Sequence, residues 1–143
     1  AEFSYSKGNE AYNAVRRTLE SVSSFSNQSV AVTNRWNVEG QVTNIPRASY
    51  GDAIGNNNFS SRWIEDASYL KFKRLMLSYD IPFQTSFLQN ISVWAAVNNV
   101  CTLTKYLGGD PEFSYGNSTL YQGVDAGYIP QSRSFQLGVN ISL

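Results

Sequence analysis

Asp110 and Glu112, in the run GGDPE, come nearest to a paired-carboxylate site in this chain. A glycosidase holds two carboxyl groups about 5–10 Å apart across a sugar ring, one of them with a raised pKa. Here the flanking Gly-Gly and Asp-Pro dipeptides are turn chemistry first, and nothing sets the two acids apart in environment. The chain has no histidine, so His-dependent acid–base and nucleophilic catalysis are excluded. Cys101 is the only cysteine; it has no disulfide partner and no imidazole to activate it. The sequence therefore points to no enzyme, no cofactor and no metal site.

Aromatic side chains are the more promising binding groups. They make up 14% of the chain, and many fall in Gly-, Asn- and Ser-rich stretches rather than in strand-like ones. An aromatic ring on a loop can stack on a sugar or on a peptide side chain, and loops are where binding residues concentrate. Trp36, Trp63, Tyr115, Tyr121 and Tyr128 are the candidate ligand contacts. Trp63 lies in SRWIED, where Arg62, Glu65 and Asp66 also suit an ion-paired strand start with the indole packed among loops.

Four alternating stretches must position these loops: 1–6, 68–80, 91–104 and 133–143. In the last, Phe135, Leu137, Val139, Ile141 and Leu143 share one face while Gln136, Asn140 and Ser142 share the other. In the second, Leu70 and Phe72 are out of phase with Leu75, Leu77 and Tyr79, which predicts either a bulge near Lys73–Arg74 or a core facing inward at that level. Trp94 falls on the polar phase of the third. The connections run long, short, long: 14–66, 81–90 and 105–131. Within the first, Ala11, Val15, Leu19 and Val22 recur at helical spacing and predict a helix over NEAYNAVRRTLESV.

Charged residues are only 15%, and the net charge is zero, so no basic surface for nucleic acid is expected. No window approaches the roughly 20 apolar residues of a membrane-spanning helix. Tilted strands, however, cross a bilayer in about 9–11 residues. Long loops on one side and short turns on the other are the pattern of an outer-membrane barrel, whose closure also removes free strand edges. In that reading the 81–90 link is a periplasmic turn, 14–66 and 105–131 are extracellular loops, and the C-terminus lies at the periplasmic side. Tyr69, Tyr79, Tyr106 and Phe135 would form interfacial belts, with Lys71 and Lys73 snorkelling beside them.

Several separated motifs also carry a family resemblance. SRWIEDASYLKFKRLMLSYDIP, VNNVCTLTKYLGGDPE and GVDAGYIPQSRSFQLGVNISL, with GNEAYNAVRRTLE and NRWNVEGQVTNIPRA upstream, resemble the C-terminal barrel segment of TonB-dependent outer-membrane transporters of the SusC/RagA type from Bacteroidetes. The resemblance covers essentially the whole chain, in the family's order and spacing. It implies an all-β fold, the last strands of a roughly 22-stranded antiparallel transmembrane β-barrel. The plug and the TonB-contacting segment belong to the N-terminal part of such proteins, so the chain reads as a piece of something longer. The implied function is active import of oligosaccharides or peptides with a SusD-like surface lipoprotein as lid. The implied partners are the rest of the barrel and plug, that lid, the TonB complex and membrane lipid. On this reading Trp36, Trp63, Tyr115, Tyr121 and Tyr128 contact ligand or lid, and Trp94 packs against the plug. Two positions depart from the family pattern: Leu143 where Phe is common, and Cys101 where a bulky apolar residue is expected. The alternative is a soluble carbohydrate-binding β-sandwich, which would need a second sheet over Leu137, Val139 and Ile141.

Overall fold

The structure is a computed structural model that describes residues 1–21, 26–82, 90–113 and 121–142. The elements in chain order are β1 (Glu2–Ser6), β2 (Glu10–Asn13), α1 (Ala14–Leu19), β3 (Ile64–Asp66), β4 (Tyr69–Ile81), β5 (Asn90–Thr104), β6 (Val124–Asp125) and β7 (Ser134–Ser142), with short 3-10 turns at Val30–Asn34, Tyr50–Asp52 and Ser61–Trp63. They divide between two units. One comprises Ala1–Asn9, Ala67–Lys105 and Pro130–Leu143; the other comprises Glu10–Asp66 and Tyr106–Ile129.

The first unit is an antiparallel sheet in the order β1-β4-β5-β7. Side chains on adjacent strands meet in rows, and successive rows point to opposite faces. On one face the rows across β4, β5 and β7 are Leu75–Val97–Phe135, Leu77–Ala95–Leu137, Tyr79–Val93–Val139 and Ile81–Ile91–Ile141. Every one of these side chains is apolar or aromatic. On the other face the rows are Arg74–Asn98–Ser134, Met76–Ala96–Gln136, Ser78–Trp94–Gly138 and Asp80–Ser92–Asn140. The apolar face is open: Leu77 is 68% exposed and Leu137 85%. The polar face is cross-linked, Arg74 Nε donating to Asn98 Oδ1 at 3.0 Å and Asn98 Nδ2 to Ser134 Oγ at 3.1 Å.

The phase change expected near Lys73–Arg74 is present as a register shift between Phe72 and Arg74. β4 takes two steps from Phe72 to Arg74, while β5 takes three, from Cys101 to Asn98, and β1 takes one, from Phe3 to Glu2. Both neighbours count an odd number, which returns Leu70 and Phe72 to the face of Leu75. Phe3 stacks on Phe72 there, with ring centroids 4.4 Å apart. β5 absorbs its one extra residue at Asn99, whose φ is 53°. The loosened carbonyls of Asn99 and Val100 accept from Arg133 Nε at 3.3 Å and Nη2 at 2.5 Å, so the bulge leaves these two backbone groups satisfied.

Trp94 is on the polar face, as its phase predicts, and lies over Gly138 of β7. Two expectations change. Lys71 does not snorkel: alternation puts it opposite Leu70 and Phe72, and it is 2% exposed. The predicted helix is only Ala14–Leu19, because Glu10–Asn13 is a strand. There Ala11 is 2% exposed and β2 pairs on both sides, so tertiary pairing overrides helical spacing. Val22 lies outside the described residues, as do 83–89 of the predicted 81–90 turn.

Asn99 supplies the test of the bulge. A β-branched residue in the left-handed region is strained by about 1–2 kcal/mol, and glycine is not. Asn99→Val should speed amide hydrogen exchange along the β4–β5 ladder, whereas Asn99→Gly should leave it close to the parent.

Candidate functional site

The second unit contains the candidate ligand contacts. Its sheet has the order β3-β2-β6, with β2 antiparallel to β3 and parallel to β6. Asn13 ends β2 and starts α1: its Oδ1 accepts from Arg16 N at 2.8 Å and caps the helix. Its Nδ2 donates to Glu65 Oε1 at 3.3 Å.

That cap aims Arg16 at the unit's centre. Trp63 is 1% exposed there, with the Arg62 guanidinium 4.4 Å and the Arg16 guanidinium 5.7 Å from its ring centroid. Cations held over an indole face are attracted by its quadrupole. Two carboxylates balance them. Glu20 accepts from Arg16 Nε at 2.7 Å and from Arg62 Nη2 at 2.6 Å; Glu65 accepts from Arg16 Nη1 at 2.9 Å. Burial opposes the Arg16 charge, but hydrogen bonds and attraction from Glu20 and Glu65 outweigh it and raise its pKa. Burial lowers the pKa of Arg62, and Arg16 and Arg35 add to that against the pull of Glu20. Trp63 Nε1 donates to the Asn58 carbonyl at 3.1 Å, so the indole is packed and polar-satisfied at once.

A second cluster forms around Asp125, 3% exposed on β6. Tyr106 donates its hydroxyl to Asp125 Oδ2 at 2.6 Å. Asp125 Oδ1 accepts from the backbone N–H of Gly127 at 2.9 Å and of Tyr128 at 3.4 Å. Gly108 is required beneath them, since a Cβ there would fall inside the Tyr106 ring and against the Asp125 carboxylate. Tyr106 therefore belongs to no interfacial belt: β5 ends at Thr104, and the ring turns into this unit, 6% exposed. Burial first, then the bond to Asp125, pushes its phenol pKa up.

The sequence candidates fall in different places. Trp63 is the packed centre just described. Trp36 is half-buried, its backbone N–H donating to Ile45 O at 3.0 Å. Tyr121 is 52% exposed and Tyr128 42%, and the Asp125 turn fixes the backbone of Tyr128. Tyr115 lies outside the described residues. Asp110 and Glu112 make a turn, Glu112 N donating to Asp110 Oδ1 at 3.0 Å. Among the described residues no three His, Cys, Asp or Glu side chains gather as a metal site would require. Sequence reasoning missed Glu20 and Asp125. The Asp-x-Gly run at Asp125–Gly127 was the available signal for the second, as a side-chain-capped turn.

Removing one partner of a buried ion-paired group costs about 3–5 kcal/mol. Glu20→Ala should therefore loosen the segments around Trp63, read as faster hydrogen exchange at 10–21 and 58–66. Tyr106→Phe leaves Asp125 short of a donor, a cost of about 1–3 kcal/mol, and should loosen 121–129 instead. Because the folded Tyr106 pKa is raised, its stabilisation is complete below pH ~10 and is lost as pH climbs above that value. Protection at 121–129 should fall in that range in the parent but not in Tyr106→Phe.

No family model matches the chain. TonB-dependent receptor P3 of Formosa agariphila is 31% identical over 97% of this chain, which spans 14% of that protein. TonB-dependent receptor P26 of the same organism is 28% identical over 98% of the chain and 15% of the relative. Among solved structures, the RagAB peptide importer in its open-open state matches 99% of the chain with a TM-score of 0.81 at 24% identity; the closed-closed state matches 97% with 0.79 at 25%. The chain spans 15% of each matched importer chain. An antiparallel sheet with one continuous apolar face, matched along nearly its whole length by these proteins, makes the chain a homologue of a stretch of TonB-dependent receptor, similar in fold to part of the RagAB importer.

Proposed function

We propose that this chain is the closing part of a roughly 22-stranded transmembrane barrel that actively imports oligopeptides or oligosaccharides. The observation that carries this reading is the unbroken apolar face of β4, β5 and β7, four rows deep and exposed. Exposed apolar surface of that extent is unusual on a soluble monomer, whereas a barrel turns it to hydrocarbon. Tyr79, Phe135 and their neighbours then face lipid, and the Arg74–Asn98–Ser134 side faces the interior. The 14–66 and 105–131 segments are the extracellular loops, the 81–90 link is a periplasmic turn, and β7 runs toward the periplasm.

Import in this scheme needs a lid and a source of energy. A SusD-like lipoprotein closes over substrate outside, and TonB acts on a plug supplied by the rest of the protein. The similarity to a peptide importer supports oligopeptides as substrate. Tyr121 and Tyr128 offer the most open aromatic surface for ligand or lid, with Trp36 and Tyr115 as further contacts. Trp63 acts indirectly, by holding the loop layer in shape.

Two measurements test this. Val139→Arg should lower the yield of heat-modifiable barrel, at a cost of about 2–4 kcal/mol near the midplane. Asn140→Arg, one residue along and on the other face, should be much milder; equal effects would count against a lipid face. Cells carrying the whole receptor and its lipoprotein should accumulate labelled oligopeptides or oligosaccharides only when TonB is present. Uptake that persists without TonB would sink the import mechanism.

A further inference from the structure

Trp94 is the largest side chain on the polar face of the sheet, and it does not stand up from that face. Its cross-strand partner in β7 is Gly138, and on the other side it meets Ser78. A Cβ built on Gly138 would fall within the indole, against Cε2, Cζ2 and Nε1. The ring therefore lies flat across the β7 backbone and occupies the volume that a side chain at 138 would fill. Glycine weakens a strand interior, and its φ here is not one that demands glycine. The close approach of the indole is what requires it.

The surrounding rows sharpen the point. Above Trp94 lie Met76, Ala96 and Gln136; below it lie Asp80, Ser92 and Asn140. A row with Ser78 on one side and glycine on the other gives the indole one low seat, along β7. Any side chain at 138 closes that seat and leaves the ring only the space away from the sheet. On the barrel reading, on which this inference rests, that space is the interior through which substrate passes and against which a plug packs.

We propose that Gly138 is a positioning residue: it seats the Trp94 indole flat on the inner wall and keeps the barrel interior clear at that level. Trp94 in turn covers the bare β7 backbone and pins the β5–β7 register. The two residues are one device, so their substitutions are coupled. A seat that is merely a preference for a small residue at 138 would give no such coupling.

The test uses the full-length receptor in four forms: parent, Trp94→Ala, Gly138→Ala and the double variant. Each is extracted from outer membranes and scored for heat-modifiable barrel and for acrylamide quenching of tryptophan emission. Gly138→Ala should reduce heat-modifiable barrel about threefold, as overpacking does, and the double variant should return to the level of Trp94→Ala. In the Gly138→Ala barrel that does form, quenching should exceed the parent's, and removing Trp94 should abolish the excess. Parent-like yield and quenching in Gly138→Ala, or a double variant no better than Gly138→Ala, would overturn the seat while leaving the barrel standing. A parent receptor with no heat-modifiable barrel would overturn the barrel reading and this inference together.

Discussion

Register across β4, β5 and β7 is the constraint on which this structure depends. A strand alternates its faces with period two, so a slip of one residue would exchange the two faces of the sheet. The rows from Leu75–Val97–Phe135 to Ile81–Ile91–Ile141 stay apolar only because three strands keep step over their shared length. Hydrophobic pattern alone does not hold that step in a sheet with an open apolar face. The polar face does much of it, through the Arg74–Asn98–Ser134 hydrogen bonds and the indole seated on Gly138.

The bulge shows how the constraint survives a change of phase. Leu70 and Phe72 return to the apolar face because β4 shifts between Phe72 and Arg74 while Asn99 takes up the slack in β5. Such a device leaves backbone carbonyls without ladder partners, and unpaired backbone groups are costly away from water. Arg133, from just before β7, accepts that task by donating to both carbonyls. One charged side chain thus ties the bulge in β5 to the start of its neighbour.

The loop unit obeys a different rule. Aliphatic side chains such as Val30, Val42, Ile54 and Ile129 are exposed, so the unit is organised by one buried indole and by charges that cancel locally. Arg16 and Arg62 flank Trp63, and Glu20 and Glu65 neutralise them at hydrogen-bond distance. Asp125 then gathers Tyr106, Gly127 and Tyr128 into a second knot. Long loops held in this way can present exposed rings such as Tyr121 and Tyr128 without an extensive hydrophobic core beneath them.

Alternation of apolar and polar residues was enough to read β7, with its Phe135-to-Ile141 face, and to expect a phase break near Arg74, because strand periodicity is local and written residue by residue. The family motifs were legible for the same reason: they are runs of contiguous sequence. The helix expected over NEAYNAVRRTLESV shrinks to Ala14–Leu19 because Ala11 and Tyr12 obey strand pairing with segments more than fifty and a hundred residues away, which no local period records. Trp63 could be read as an indole packed among loops beside an ion-paired strand start, and it is buried there; that Arg16 and Glu20 are its neighbours could not be read, since they arrive from another part of the chain. Residue type places Lys71 and Tyr106 at a membrane interface, and tertiary structure buries both instead. What the sequence determined by itself was the four strands β1, β4, β5 and β7 and their two faces. What only the tertiary structure decided was which polar groups meet, because hydrogen bonds and ion pairs depend on ångström-scale positions that residues distant in sequence reach only when the chain is folded.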